Sequence, residues 1–153
     1  MLSAADNETL TRVGTGTPMG ELLRRYWQPV AAVAQLDEQP TLAVRLMGED
    51  LVLYKDTRGG YGLLDRHCPH RRADLCYGVP EDRGLRCHYH GWLFDSAGAC
   101  LQQPFEEIAH PEARFKDLVR IKAYLVEAKA GLLWAYPGPP GAARADLGAL
   151  HLG

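Results

Sequence analysis

Two short cysteine–histidine pairs constrain this chain more than any other feature of its sequence. The first joins Cys68 to His70 with one residue between them, and the second joins Cys87 to His90 with two between them. Sixteen residues separate the pairs. Each pair supplies one thiolate and one imidazole, which together make two sulfur and two nitrogen ligands. The fold is therefore expected to bring both pairs to one metal centre.

That ligand set is the one a Rieske [2Fe–2S] cluster requires, with two cysteines on one iron and two histidines on the other. We assign Cys68 and Cys87 to the first iron and His70 and His90 to the second. Two ferric ions, two sulfides and two thiolates sum to zero charge because the imidazoles are neutral. This raises the reduction potential above that of an all-cysteine cluster.

Zinc is the alternative metal, because two cysteines and two histidines also bind it tetrahedrally. Zinc fingers, however, usually pair Cys with Cys and His with His along the chain. Mixed pairs with unequal spacing favour the [2Fe–2S] cluster over zinc.

The residues around both pairs resemble the N-terminal domain of Rieske non-haem iron oxygenase large subunits, and most closely the phthalate dioxygenase type. The run C-x-H-R-x-x-x-L-x-x-G, followed by C-x-Y-H-G-W-x-F, carries the resemblance. The matching positions are Cys68, His70, Arg71, Leu75, Gly78, Cys87, Tyr89, His90, Gly91, Trp92 and Phe94.

The resemblance implies an enzyme that incorporates O₂ into an aromatic compound as a monooxygenase or dioxygenase. In that family a homo-oligomeric oxygenase takes electrons from a flavin or ferredoxin-type reductase. The Rieske domain passes them to a mononuclear Fe(II) in a catalytic domain of the same or a neighbouring subunit. No D-x-x-H-x-x-x-x-H run for such an iron site exists in these 153 residues. We therefore expect this chain alone to transfer electrons without hydroxylating a substrate.

Composition places the chain among ordinary globular proteins, with 46% hydrophobic residues, 24% charged residues and a net charge of −2. This balance gives no indication of a nucleic-acid or membrane partner. The first ten residues lack the basic and apolar regions of a signal peptide, so a cytoplasmic location is expected. There the remaining cysteines, Cys76 and Cys100, are expected to be reduced thiols.

The pattern along the chain predicts a mainly β, antiparallel Rieske domain with a short helical preface. Residues 1–40 form the preface and a lead-in strand, with Ser3 and Thr17 as helix N-caps and Pro18 at a first helical position. Residues 41–136 form the Rieske domain. Residues 137–153, rich in proline and glycine at the start, form a linker and tail.

Short strands are predicted within residues 41–136, with Gly48 to Asp50 as a hairpin connection. The two ligand pairs are expected at the tips of neighbouring hairpins. The predicted strands are 42–47, 51–54, 61–65, 85–88, 92–95, 121–127 and 132–136.

Two alternatives remain open on the sequence alone. One is a free-standing Rieske-type ferredoxin, against which the helical preface argues; the other is a remnant without an electron partner. The arginines near the ligand pairs are consistent with a docking face for an acidic donor, or with solvated charge balanced by nearby carboxylates. Trp92 follows the second pair directly and is expected to exclude water from it.

Overall fold

The computed structural model describes residues 1–139 and 146–147. Its N-terminal helices begin where their caps predict. The Ser3 hydroxyl accepts a hydrogen bond from the Asp6 backbone N–H, and the Thr17 hydroxyl accepts one from the Gly20 N–H with Pro18 next in the chain. Both side chains satisfy an amide that the first helical turn leaves unpaired. The helical preface is therefore confirmed.

Antiparallel strands dominate the rest of the described chain, as predicted. The elements are α1 (Ala4–Thr11), α2 (Pro18–Leu23), β1 (Gln28–Ala32), α3 (Val33–Glu38), β2 (Thr41–Leu46), β3 (Glu49–Lys55), β4 (Tyr61–Asp65), β5 (Val79–Glu81), β6 (Gly84–Arg86), β7 (Leu93–Phe94), β8 (Cys100–Gln102), α4 (Pro104–Ala109), β9 (Ala123–Lys129) and β10 (Leu132–Tyr136), with 3-10 turns at Leu75–Tyr77 and Phe115–Leu118. Six strands form a large sheet in the order β1-β10-β9-β4-β3-β2, and four form a small sheet in the order β5-β6-β7-β8.

The connection between β2 and β3 differs from the prediction. It consists of Met47 and Gly48, and Glu49 and Asp50 already pair within β3. Both turn residues have positive φ, 48° and 83°. Two left-handed residues give the tight hairpin turn whose twist matches the flanking strands. The predicted connection at 48–50 was wrong because methionine carries no signal for this conformation.

Apolar residues are buried on both faces of the large sheet. On β3, Val52 and Tyr54 join the core that faces the small sheet, and Leu51 and Leu53 join a second core with Leu36 of α3. This explains why β3 reads as a continuous apolar run rather than an alternating one. The core facing the small sheet is the one that matters for the ligand pairs, because it contains Cys68 and Cys87.

A buried polar cluster fastens the preface to the large sheet. The Arg24 guanidinium, just after α2, lies 2.6 Å from Glu49, and both side chains are about nine-tenths buried. Glu49 also accepts hydrogen bonds from Lys122 at 2.7 Å and from the Tyr124 hydroxyl at 2.8 Å, while Arg24 donates to the Thr15 hydroxyl at 3.2 Å. Burial raises the pKa of Glu49, but the three hydrogen bonds outweigh it and hold the pKa below its usual value.

The ligand pairs lie on different kinds of connection. The second lies between β6 and β7, which pair with each other, so it is a hairpin loop as predicted. The first follows β4 of the large sheet and precedes β5 of the small one, and those two strands do not pair. The prediction of two neighbouring hairpin tips was therefore wrong for the first pair, which lies on a crossover between sheets.

The expected division at residue 40 and the linker and tail at 137–153 stay predictions. Strand β1 of the preface pairs with β10 and so belongs to the large sheet. Most of 137–153 lies outside the described residues. Leu147, which is described, is buried against Trp27 and Tyr136. In the part of the chain that the structure covers, no helix is long and apolar enough to span a membrane.

Candidate metal centre between two loops

The first ligand loop, residues 68–73, is closed by two backbone hydrogen bonds. The Cys68 N–H donates to the Ala73 carbonyl at 2.9 Å, and the Arg72 N–H donates to the Cys68 carbonyl at 2.9 Å. Arg72 has a φ of 60°, in the left-handed region. Outside the loop, Arg66 donates from two nitrogens to one oxygen of Asp74, at 2.9 and 2.6 Å. Hydrogen bonds thus hold the loop at both of its ends.

The second ligand loop, residues 87–92, is closed in the same way. The Cys87 N–H donates to the Trp92 carbonyl at 2.8 Å, and the Gly91 N–H donates to the Cys87 carbonyl at 3.0 Å. Gly91 has a φ of 74°. A Cβ at this position would lie 3.2 Å from Cγ of Pro104 at the start of α4, so both the space and the backbone conformation favour glycine.

The fold brings the two loops together, with cysteines inside and histidines outside. Cys68 and Cys87 are 1% and 2% exposed in the core between the sheets. His70 is exposed and His90 half-buried, and their ring centroids lie 4.7 Å apart. Trp92, which is buried, stacks on His70 with centroids 4.6 Å apart and planes within 2°. A residue of the second loop therefore fixes the imidazole of the first.

The two thiols act on each other. Their interaction, together with burial, raises the pKa of the Cys68 thiol, and the same interaction lowers the pKa of the Cys87 thiol. Backbone N–H groups of each loop also act on its own sulfur: those of His70 and Arg71 on Cys68, and those of Tyr89 and His90 on Cys87. Such N–H groups favour the thiolate, which is the form that binds metal.

Desolvation lowers the pKa of His70 from its ordinary value, and the electrostatic influence of the neighbouring His90 and Arg71 lowers it further. The imidazole is therefore kept neutral at neutral pH. A neutral ring is the form that binds iron.

The donor set fits a Rieske cluster: two buried sulfurs that receive N–H groups, beside two imidazoles at the surface. Among the described residues, no three His, Cys, Asp or Glu side chains are grouped as they would be around a single metal ion. A binuclear cluster makes no such demand, because it takes two protein ligands per iron.

The other histidines of the described chain have different neighbours, although His67 directly precedes Cys68 and His88 lies within the second loop. His67 pairs in an isolated bridge with Asp74, His88 faces Tyr77 at 6.2 Å between ring centroids, and His110 ends α4. His151 lies outside the described residues.

Exposed aromatic side chains beside His90 were not anticipated from the sequence. Tyr89 packs against His90 with ring centroids 3.8 Å apart, and Phe105 lies 6.4 Å from the same ring. Phe105 and Ile108 are both exposed on α4. The sequence does carry a signal for this helix, because Pro104 stands at its start and Glu106 and Glu107 lie in its first turn.

Comparison with known proteins identifies the class. The model of the Rieske [2Fe-2S] domain family matches residues 26–116, which is more than half of the chain. The chain therefore belongs to the Rieske [2Fe–2S] domain family.

The relatives narrow this to the Rieske part of oxygenases. The chain is 65% identical to the 5,5'-dehydrodivanillate O-demethylase oxygenase subunit of a Sphingobium species, over 91% of this chain and 33% of the relative. It is 41% identical to the phthalate 4,5-dioxygenase oxygenase subunit of Pseudomonas putida, over 91% of this chain and 31% of that one.

A solved structure of dicamba monooxygenase with non-haem iron and dicamba superposes with a TM-score of 0.66 at 30% identity, covering 84% of this chain and 37% of that one. The resemblance to oxygenase subunits and to the phthalate dioxygenase type is confirmed. The chain spans about a third of the length of the curated relatives it matches.

Proposed function

We propose that Cys68 and Cys87 hold one iron of a Rieske [2Fe–2S] cluster and that His70 and His90 hold the other. The observation that carries this proposal is the meeting of two separately closed loops, with both cysteines buried and both imidazoles 4.7 Å apart near the surface. When bound, such a cluster accepts and releases one electron at a time.

The chain's own residues prepare and protect this site. Backbone N–H groups of both loops stabilise the thiolates, and the low pKa of His70 leaves its imidazole neutral for iron. Trp92 covers one face of His70 and keeps water from it. His90 lies nearer the exposed side chains of Tyr89 and Phe105, so this edge suits contact with an electron partner.

In the whole protein, the domain relays electrons from a flavin or ferredoxin-type reductase to a mononuclear iron in a catalytic domain outside these residues. That protein is a homo-oligomeric, cytoplasmic oxygenase acting on an aromatic compound. Support comes from the names of the relatives, which are oxygenase subunits. Because the relative at 65% identity is named an O-demethylase, a methoxylated aromatic acid is the first substrate to test.

A free-standing ferredoxin is the rival function. The polar cluster between Arg24 and Glu49 makes the N-terminal preface part of the folded domain. The family match begins only at residue 26, after α1 and α2. The sequence similarity to oxygenase subunits extends over 91% of the chain, which favours the oxygenase.

The test is to supply the purified chain with a reductase of this class, NADH and a panel of aromatic acids that includes a methoxylated one. We expect two irons and two sulfides per chain, a rhombic EPR signal on reduction, and no oxygenated product. The Cys87→Ser variant is the control for the cluster. Stoichiometric zinc in a colourless protein would refute the cluster. Product formation by this chain alone would refute the proposal that it only transfers electrons.

A further inference from the structure

Arg86, the residue before Cys87, makes four hydrogen bonds through its guanidinium. Two go to the Glu81 carboxylate, one to the Gly91 carbonyl at 2.6 Å and one to the Gln102 side chain at 2.6 Å. A guanidinium has five N–H groups in a rigid planar fork, so nearly all of this donor capacity is used here. The side chain is only 23% exposed.

The Gly91 carbonyl gives this contact its importance. Gly91 directly follows His90, and its own N–H closes the second loop on the Cys87 carbonyl. The guanidinium therefore restrains the far end of the loop from the strand that precedes it. Glu81 on β5 and Gln102 at the end of β8 hold the guanidinium in turn, so three strands of the small sheet fix one carbonyl.

Both partners of the ion pair stay charged across the ordinary pH range. The hydrogen bonds to Arg86 lower the pKa of Glu81, and the same bonds raise the pKa of Arg86. Charge-assisted, two-pronged bonds of this kind are about twice as strong as neutral ones and fix orientation as well. A lysine carries the same charge but donates from a single nitrogen, so it cannot reach both Glu81 and Gly91 in the same geometry.

The first loop has an arginine pair but no equivalent contact. Both hydrogen bonds of the Arg66 guanidinium go to Asp74, and neither reaches a carbonyl of residues 68–73. The contact between Arg86 and the loop backbone is thus a specific property of the second loop.

We propose that Arg86 is a positioning residue for His90: its guanidinium, held by Glu81 and Gln102, fixes the Gly91 carbonyl and with it the orientation of the neighbouring imidazole. The proposal rests on the proposed function, because it presumes that His90 binds iron. Partners that orient a metal ligand commonly change metal affinity by about 10–100-fold when removed.

The test compares Arg86→Gln and Arg86→Lys with Arg58→Gln, each in the cluster-loaded chain. Arg58 pairs with Asp82 at 3.0 Å next to the same small sheet, but its side chain is 70% exposed, which makes it a matched control. The readouts are EPR g-values of the reduced protein, visible circular dichroism, melting temperature, and the rate of iron loss to a chelator.

Both Arg86 variants are expected to shift the g-values and the dichroism and to release iron about tenfold faster, with Arg58→Gln unchanged. If Arg86→Gln does not fold, Arg86→Lys still decides the question, because lysine keeps the positive charge beside Glu81. Unchanged spectra in the Arg86 variants, even with a lower melting temperature, would make Arg86 structural only and overturn the proposal. Equal changes in Arg58→Gln would overturn it too. A wild-type chain that binds no iron and sulfide would refute the proposed function instead.

Discussion

The two ligand loops have the same backbone frame although they lie on different connections. In each, the cysteine N–H donates to the carbonyl five residues later, and the residue four positions after the cysteine donates back to its carbonyl. In each, that same residue, Arg72 or Gly91, has positive φ. The same local backbone structure therefore occurs on a crossover between sheets and on a tight hairpin.

The histidines are placed differently on these equal frames. His70 stands two residues after its cysteine and His90 three. The one-residue offset presents the imidazoles differently while the sulfurs keep equivalent places at the start of each loop. The unequal spacing in the sequence is therefore a direct sign of how two similar loops present two rings to each other.

The largest expected effect is the loss of a proposed ligand from either loop. Cys68→Ser, His70→Ala, Cys87→Ser and His90→Ala should each reduce the iron content from two per chain to near zero and lower the melting temperature. Metal binding energy is also folding energy, so both losses occur together. Iron analysis and thermal unfolding measure them.

The matched controls are Cys76→Ser and Cys100→Ser. In the wild-type chain both residues are free thiols that pack in or against the same core. Both should keep two irons per chain. Cluster loss in these variants, or retention of iron in the ligand variants, would contradict the assignment of two ligands to each loop.

The left-handed residues give the next largest difference. Gly91→Ala should destabilise the protein by about 1–2 kcal/mol, because alanine resists positive φ and its Cβ would press on Pro104. Arg72→Gly removes a strained non-glycine residue and should cost nothing or stabilise by up to about 1 kcal/mol. Denaturant unfolding of both variants measures the contrast. An equal loss of stability in both variants would contradict this expected contrast between the two positive-φ positions.

The smallest effect concerns the acid behaviour of the first loop. Hydrogen bonds from Arg66, opposed by burial, lower the pKa of Asp74 to about 2 from 3.8. A carboxyl with a lowered pKa adds stability above its unfolded value, and this is lost as pH falls from about 4 to about 2. Because the pair is partly exposed, Asp74→Asn should cost about 1 kcal/mol at neutral pH, and this cost should shrink as pH falls through about 2.

Unfolding of wild type and Asp74→Asn across this pH range gives the comparison. Asp82→Asn, from the exposed pair with Arg58, should show a much smaller difference. A constant difference between wild type and Asp74→Asn at all pH values would contradict the assigned cause.

The sequence predicted the parts of this fold that depend on spacing and local caps. The four proposed ligands, the capped helices and most strands of residues 41–136 were all visible there. The Met47 turn was not, because methionine at positive φ is imposed by strand pairing rather than by local preference. The crossover position of the first loop depends on which strands pair, and residue patterns alone do not specify pairing partners.

The side-chain hydrogen-bond networks could also not be predicted from the sequence. Arg86 was recognised only as one charge among several near the cluster, and its contact with the Gly91 carbonyl depends on β5 and β8 meeting around it. Neither of those three-residue strands was predicted, because strands so short carry little periodic signal.

The polar cluster at Arg24 has a consequence for where this domain can be cut. The recognisable family pattern starts at residue 26, yet Glu49 depends on an arginine that precedes it. A truncation at residue 26 would retain every proposed ligand and leave a nearly buried carboxylate whose remaining partners among the described residues are Lys122 and Tyr124. Removing one member of a buried pair costs about 3–5 kcal/mol when the remaining charge has no other partner, and less here because Lys122 still pairs with Glu49. The energetic boundary of the domain therefore lies upstream of the start of the family match, and transplanting the domain into an oxygenase should include residues 15–25.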